Sequence, residues 1–133
     1  MNDHLLVNHP PNELPIAKFI PYIRLILLSK IKINNAKRVK NWIDKYGRDE
    51  VKGMTEVGLA RMNQLIAREK LSLSTLKRTF SFLSRTKGGG FNKINPDYSD
   101  TPWRDKGYVA YLGWGGEAML KYAERKLQQL EYE

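Results

Sequence analysis

Apolar residues return at helical spacing in four stretches of this chain, and polar breaks separate them. Val39, Trp42, Ile43 and Tyr46 stand at i, i+3, i+4 and i+7, just before Gly47. Leu59, Met62, Leu65 and Ile66 follow Thr55, a residue suited to capping a first turn. Leu73, Leu76, Phe80 and Leu83 follow Ser72, whose hydroxyl can accept a bond from the amide of Ser74 or Thr75. Met119, Tyr122, Ala123, Leu127 and Leu130 follow Gly115 and Gly116. At 3.6 residues per turn each set lines up on one side of a helix and needs a core to cover it. The pattern predicts a mainly α fold, a compact bundle of about five short helices.

The remaining segments are read by their breakers. Pro10, Pro11 and Pro15 keep residues 1–15 irregular. A first helix is expected from Pro21 through Leu25 and Leu28 to Lys30, although a short strand over Tyr22–Leu28 fits the same apolar run. Asn34 and Asn35 mark a break. The chain thus divides into an N-terminal segment, residues 1–35, and a helical domain, residues 36–133. Gly88, Gly89 and Gly90 end the helix that starts at Ser72 and supply a hinge. Phe91–Asp105 reads as loop, and Tyr108–Trp114 as a short apolar element.

Charge is unevenly spread. The chain of 133 residues carries a formal +9, and the stretch Leu71–Asn95 accounts for five of those charges without one Asp or Glu. Lys77, Ser81 and Arg85, with Arg78 beside them, fall opposite the apolar stripe of their helix. A helix with a greasy back and a cationic front suits a polyanion, and phosphate backbone is the commonest. A solvated charged face is the plain alternative.

Several function classes lack their residues. There is no cysteine, hence no disulfide, thiolate nucleophile or cysteine-ligated zinc. His4 and His9 stand in the proline-broken N-terminus without a carboxylate-rich companion. Gly88-Gly89-Gly90 is no phosphate loop, because no Lys-Ser/Thr follows it. Asp97, Asp100 and Asp105 are spaced for turns and caps rather than for magnesium. No catalytic residue, metal or cofactor is assigned. The N-terminus lacks a secretory pattern. Ile16–Ile33 is the most apolar stretch, but Lys18, Pro21, Arg24, Lys30 and Lys32 interrupt it, so it is not a membrane span. It is expected to cover a surface of its own domain or of a second copy, which makes a homo-oligomer possible through residues 1–35.

The helices before and after Glu69–Leu71 have the lengths of a helix-turn-helix, so a central hairpin of that kind is expected, although its turn lacks glycine. The front of its second helix offers Lys77, Arg78 and Arg85 but no Asn or Gln for adenine, which favours phosphate contact over base reading. Trp103, Tyr108, Tyr111 and Trp114 would stack on single-stranded bases if exposed, and Tyr111 and Trp114 are expected in the core.

Longer strings are more particular. Lys45-Tyr46-Gly47-Arg48 precedes Thr55-Glu56-Val57-Gly58-Leu59-Ala60-Arg61. Leu71-Ser72-Leu73-Ser74-Thr75-Leu76-Lys77-Arg78 and Ser81-Phe82-Leu83 come next. Lys106-Gly107-Tyr108-Val109-Ala110-Tyr111-Leu112-Gly113-Trp114-Gly115-Gly116-Glu117-Ala118 completes the series. Over Ala36–Leu127 this order resembles a small helical domain of tailed-bacteriophage proteins, often appended to head-maturation proteases. Leu73 stands where members often carry proline, and Met119 and Tyr122 where they carry glycine and tryptophan. The resemblance implies a phage origin, with action in the host cytoplasm during infection or in the virion. It brings no protease activity. Among the shared positions Gly47, Gly58, Ser72, Trp114, Gly115 and Gly116 have structural reasons, whereas Arg61, Lys77 and Arg78 do not. The expected function is therefore binding without catalysis. The candidate contacts are Arg61, Lys77, Arg78, Arg85, Lys87 and Lys93, and the partner is nucleic acid, DNA ahead of RNA. A protein-interaction module docking on an acidic host or phage protein is the alternative.

Overall fold

The computed structural model describes residues 20–131, with side chains described for 23–130. Among these residues the fold is mainly helical, with five α-helices and no strand. They are α1 (Ile20–Tyr46), α2 (Glu56–Ile66), α3 (Leu73–Gly88), α4 (Lys106–Gly113) and α5 (Gly116–Glu131). Two single 3-10 turns, Pro96–Tyr98 and Pro102–Arg104, shape the loop between α3 and α4. The predicted caps are in place. Thr55 accepts a bond from the amide of Gly58, and Ser72 accepts one from Thr75.

α1 corrects the expected break at Asn34 and Asn35. It runs unbroken for 27 residues, through the boundary placed after residue 35, and it is not short. A pair of asparagines weakens a helix by only about 1–1.4 kcal/mol in all relative to alanine, an amount that packing easily outweighs. Ile33, Ala36 and Val39 bury one continuous stripe across the pair, and Trp42, Ile43 and Tyr46 extend it. Asn35 has a tertiary role as well. Its Nδ2 donates to the carbonyl of Gly115 at 2.9 Å.

α1 is the element on which α5, α4 and α2 all pack. α3 packs instead on α5 and α4. α2 and α3 scarcely touch, so the expected helix-turn-helix-like hairpin exists in chain order but not as a packed pair. Trp114 is the reason. Its indole, 8% exposed, stacks on Phe82 of α3 with ring centroids 4.1 Å apart. On its other flank lies Gly58 of α2, where an added Cβ would stand 3.2 Å from the indole nitrogen. The tryptophan therefore fills the space that a packed hairpin would close. Gly115 and Gly116 hold it there. Their φ angles of 108° and 66° turn the chain sharply between α4 and α5, a conformation that side chains oppose.

The turn between α2 and α3 manages without glycine at some cost. Arg68 takes the left-handed conformation, φ 58°, that ends α2. The amide of Arg68 donates to Leu65 and that of Glu69 to Gln64, the paired bonds of a Schellman motif. A non-glycine residue in this region costs about 1–2 kcal/mol.

Two positions expected inside are outside. Leu73 is 48% exposed and Leu130 46%. Each lies in a terminal turn that overhangs the core. The buried line of α3 runs instead through Leu76, Thr79 and Leu83.

Two outcomes are expected. Trp114→Ala costs about 3–5 kcal/mol, as deletion of a core aromatic does, and urea melts measure it. A loss below about 1 kcal/mol would mean that the space between α2 and α3 closes without the indole. Asn35→Ala costs about 0.5–1.5 kcal/mol by the same assay, because the Gly115 carbonyl loses one of its two donors and keeps the amide of Met119 at 3.3 Å.

Candidate functional site

The cationic front of α3 exists, but not with every residue assigned to it. Lys77, Arg78 and Arg85 are exposed, and among the described residues none of them pairs with a carboxylate. Lys77 and Arg85 stand eight residues apart on one side, about 12 Å along the axis at 1.5 Å per residue. Arg85 and Lys87 also occupy the last turn, where cations suit the negative end of the helix. Lys93 is exposed in the loop beyond Gly90.

Lys87 has a structural partner. Its Nζ lies 2.8 Å from Oε2 of Glu117, in the first turn of α5. Tyr111 donates its hydroxyl to Oε1 of the same carboxylate at 2.8 Å, and Lys121 stands 3.9 Å away. Burial pushes the Glu117 carboxyl up, but the hydrogen bonds from Lys87 and Tyr111 and the charges of both lysines outweigh it. The carboxyl ends below its ordinary value. The Tyr111 phenol moves the opposite way, raised first by burial and then by its bond to Glu117 and the charge of that carboxylate.

Arg61 is likewise turned inward. Its guanidinium carbon lies 6.0 Å from the centre of Trp114, and Nη1 donates to Gln64 at 3.1 Å. Its Nε is buried without a partner among the described residues. Arg61 serves the packing of Trp114 rather than an outer face. Of the six candidates, four are exposed and, among the described residues, without a carboxylate partner: Lys77, Arg78, Arg85 and Lys93, whereas Lys87 is exposed but paired.

The aromatic cluster offers little to bases. Tyr111 and Trp114 are buried, and Trp103 stacks on Tyr46 at 4.0 Å while donating to Glu50. Asp105 is a buried cap for α4, accepting from Tyr108 at 3.2 Å and from Asn95 at 2.8 Å. Among the described residues no group of three His, Cys, Asp or Glu is arranged to hold a metal ion. His4 and His9 lie outside the described residues. Among the described residues no helix is long and apolar enough to cross a membrane.

A second cationic run crosses the boundary placed after residue 35. Between Glu13 and Asp44 stand Lys18, Arg24, Lys30, Lys32, Lys37, Arg38 and Lys40, with no acid among them. Six of these seven lie on α1. The signal was present in the sequence, divided by the assumed break at Asn34. No family model, curated protein or solved structure matches the chain.

The Glu117 cluster sets an expected pH response. A carboxyl held below its unfolded value adds stability above that value and loses it as pH falls through the folded value. The melting-temperature difference between the native protein and Lys87→Ala should therefore be largest near pH 7 and shrink on acidification below the ordinary carboxylate range. A difference independent of pH would remove the ion pair as its cause.

Proposed function

We propose that this protein binds DNA without catalysis, through phosphate contacts made by the outer face of α3. The supporting observation is the set Lys77, Arg78 and Arg85: three exposed cations without carboxylate partners among the described residues, on a helix whose opposite side is anchored by Leu76, Thr79 and Leu83. Such cations attract a polyanion at long range and release condensed counterions on contact. The face has no Asn or Gln, and α2 does not brace α3 as a recognition hairpin. Both facts favour backbone contact over sequence reading. In the phage setting that the likeness of Ala36–Leu127 implies, this is the work of an accessory protein coating or tethering DNA.

Gel-shift titration at several salt concentrations provides the test. Four contacts, from Lys77, Arg78, Arg85 and Lys93, give a log–log slope of about −3 to −4 on duplex DNA. Lys77→Ala with Arg78→Ala should reduce the slope by about one to two units and leave the melting temperature unchanged. Lys87→Ala should leave the slope unchanged, because its charge is already engaged by Glu117. Absence of binding by micromolar DNA in low-salt buffer would end this reading, and equal or tighter binding to duplex RNA would shift it from DNA to RNA.

A further inference from the structure

The N-terminal half of α1 carries an apolar stripe that the described residues leave open. Ile23, Ile26, Leu27 and Ile31, at i, i+3, i+4 and i+8, are each about half exposed. Beside the stripe is a groove of about 640 Å³ between α1, α5 and the turn joining α2 to α3. Its apolar lining comes from Ile26, Ile33, Leu71, Leu76, Tyr122 and Leu130. Its charged lining is Lys30, Lys32, Arg68, Lys70 and Lys126 against the single acid Glu69. Lys77, Arg78, Arg85 and Lys93 do not line it.

Two of these cations are held at an expense to the fold. Lys32 is only 8% exposed, and among the described residues no carboxylate pairs with it. Its Nζ lies 4.8 Å from the centre of the Tyr122 ring, and the Nζ of Lys126 lies 5.9 Å from the same centre. Burial, and then the charge of Arg68, push the Lys32 ammonium below the ordinary lysine range. Arg68 is the residue in left-handed conformation, where glycine would be unstrained. An unpaired buried cation and a strained arginine, side by side in one groove, gain a purpose if an anion seats there.

We propose that the groove and the α1 stripe together dock an acidic amphipathic helix of another protein. Such a helix places apolar side chains at i, i+3, i+4 and i+7 into the groove, and carboxylates from its flanks reach Lys32, Arg68 and Lys70. Charge complementarity selects this occupant. A second copy would bring another +9 and a stripe flanked by its own Arg24 and Lys30. Nucleic-acid phosphates would leave the apolar lining unused. A planar headgroup layer would not reach the recessed Lys32, whereas a glutamate on a seated helix would.

The test uses the full-length protein and a labelled synthetic peptide of about 18 residues, roughly 27 Å of helix, with a leucine stripe and glutamates on both flanks. Fluorescence anisotropy should show saturable binding. Replacing the glutamates by glutamine, or the leucines by serine, should each weaken it about tenfold or more. Ile26→Gln should weaken it about tenfold at unchanged melting temperature, since Ile26 is 57% exposed. Lys32→Met and Arg68→Gly should both raise the melting temperature while lowering affinity, a divergence that a purely structural role would not produce. Lys77→Ala with Arg78→Ala should leave peptide affinity unchanged, which separates this site from the DNA-binding face. Four results would overturn the proposal. The serine peptide binds as well as its parent, so that charge alone acts. The Lys77 and Arg78 variant loses the peptide. Anionic vesicles bind with Ile26 dependence and the peptide does not bind. Light scattering shows a dimer that Ile26→Gln dissociates.

Discussion

Trp114 sits where α2 and α3 would otherwise leave a void. Phe82 from α3 covers one face of the indole, Gly58 lets α2 approach its edge, and Arg61 lies over the ring. The Gly115–Gly116 corner that delivers the indole is tied to α1 by Asn35. Around this one side chain the bundle resolves an awkward requirement. Two helices adjacent in sequence are held apart, α2 packed on α1 and α4, and α3 on α5 and α4. A wide, flat aromatic can do this because it offers two faces and an edge to three partners at once.

The cations sort themselves by the same geometry. Arg61 faces the core aromatic, Lys87 neutralises the start of α5, and Lys32 is sunk beside Tyr122. Among the described residues Lys77, Arg78 and Arg85 have no such commitments. Formal charge thus overstates what is available to a polyanion at long range, and the outer face of α3 holds only part of the central excess. The rest divides between ion pairs, cation–π contacts and the groove along α1.

Local chemistry was legible in the sequence. Thr55 and Ser72 cap because a hydroxyl needs only the amide three residues on. Gly47 ends α1 at φ 88°, and the Gly115–Gly116 turn falls where two glycines precede a helical stripe. What failed depended on distant partners. Asn34 and Asn35 look like a break until Gly115, 80 residues away from Asn35, supplies an acceptor. Lys87 looks free until Glu117, 30 residues on, pairs with it. Arg68 hides a left-handed turn because arginine gives no sign of one. The mainly α class was readable because periodicity is a property of each segment alone. The hairpin was not, because whether α2 meets α3 is decided by what lies between them.

The unbroken α1 has a consequence for synthesis. Of the described helices α1 is synthesised first, yet its main partner α5 is synthesised last. At roughly 5–20 residues per second, the wait lasts for several seconds. For most of that interval α2 is the one packing partner of α1 already made, since α4 is finished only just before α5 begins. The nascent chain therefore presents a cationic, apolar rod to its surroundings before it has a core, the kind of segment that a chaperone or an acidic surface retains. Completion of the Gly115–Gly116 corner is the event that withdraws the rod, since only then does Asn35 find its carbonyl.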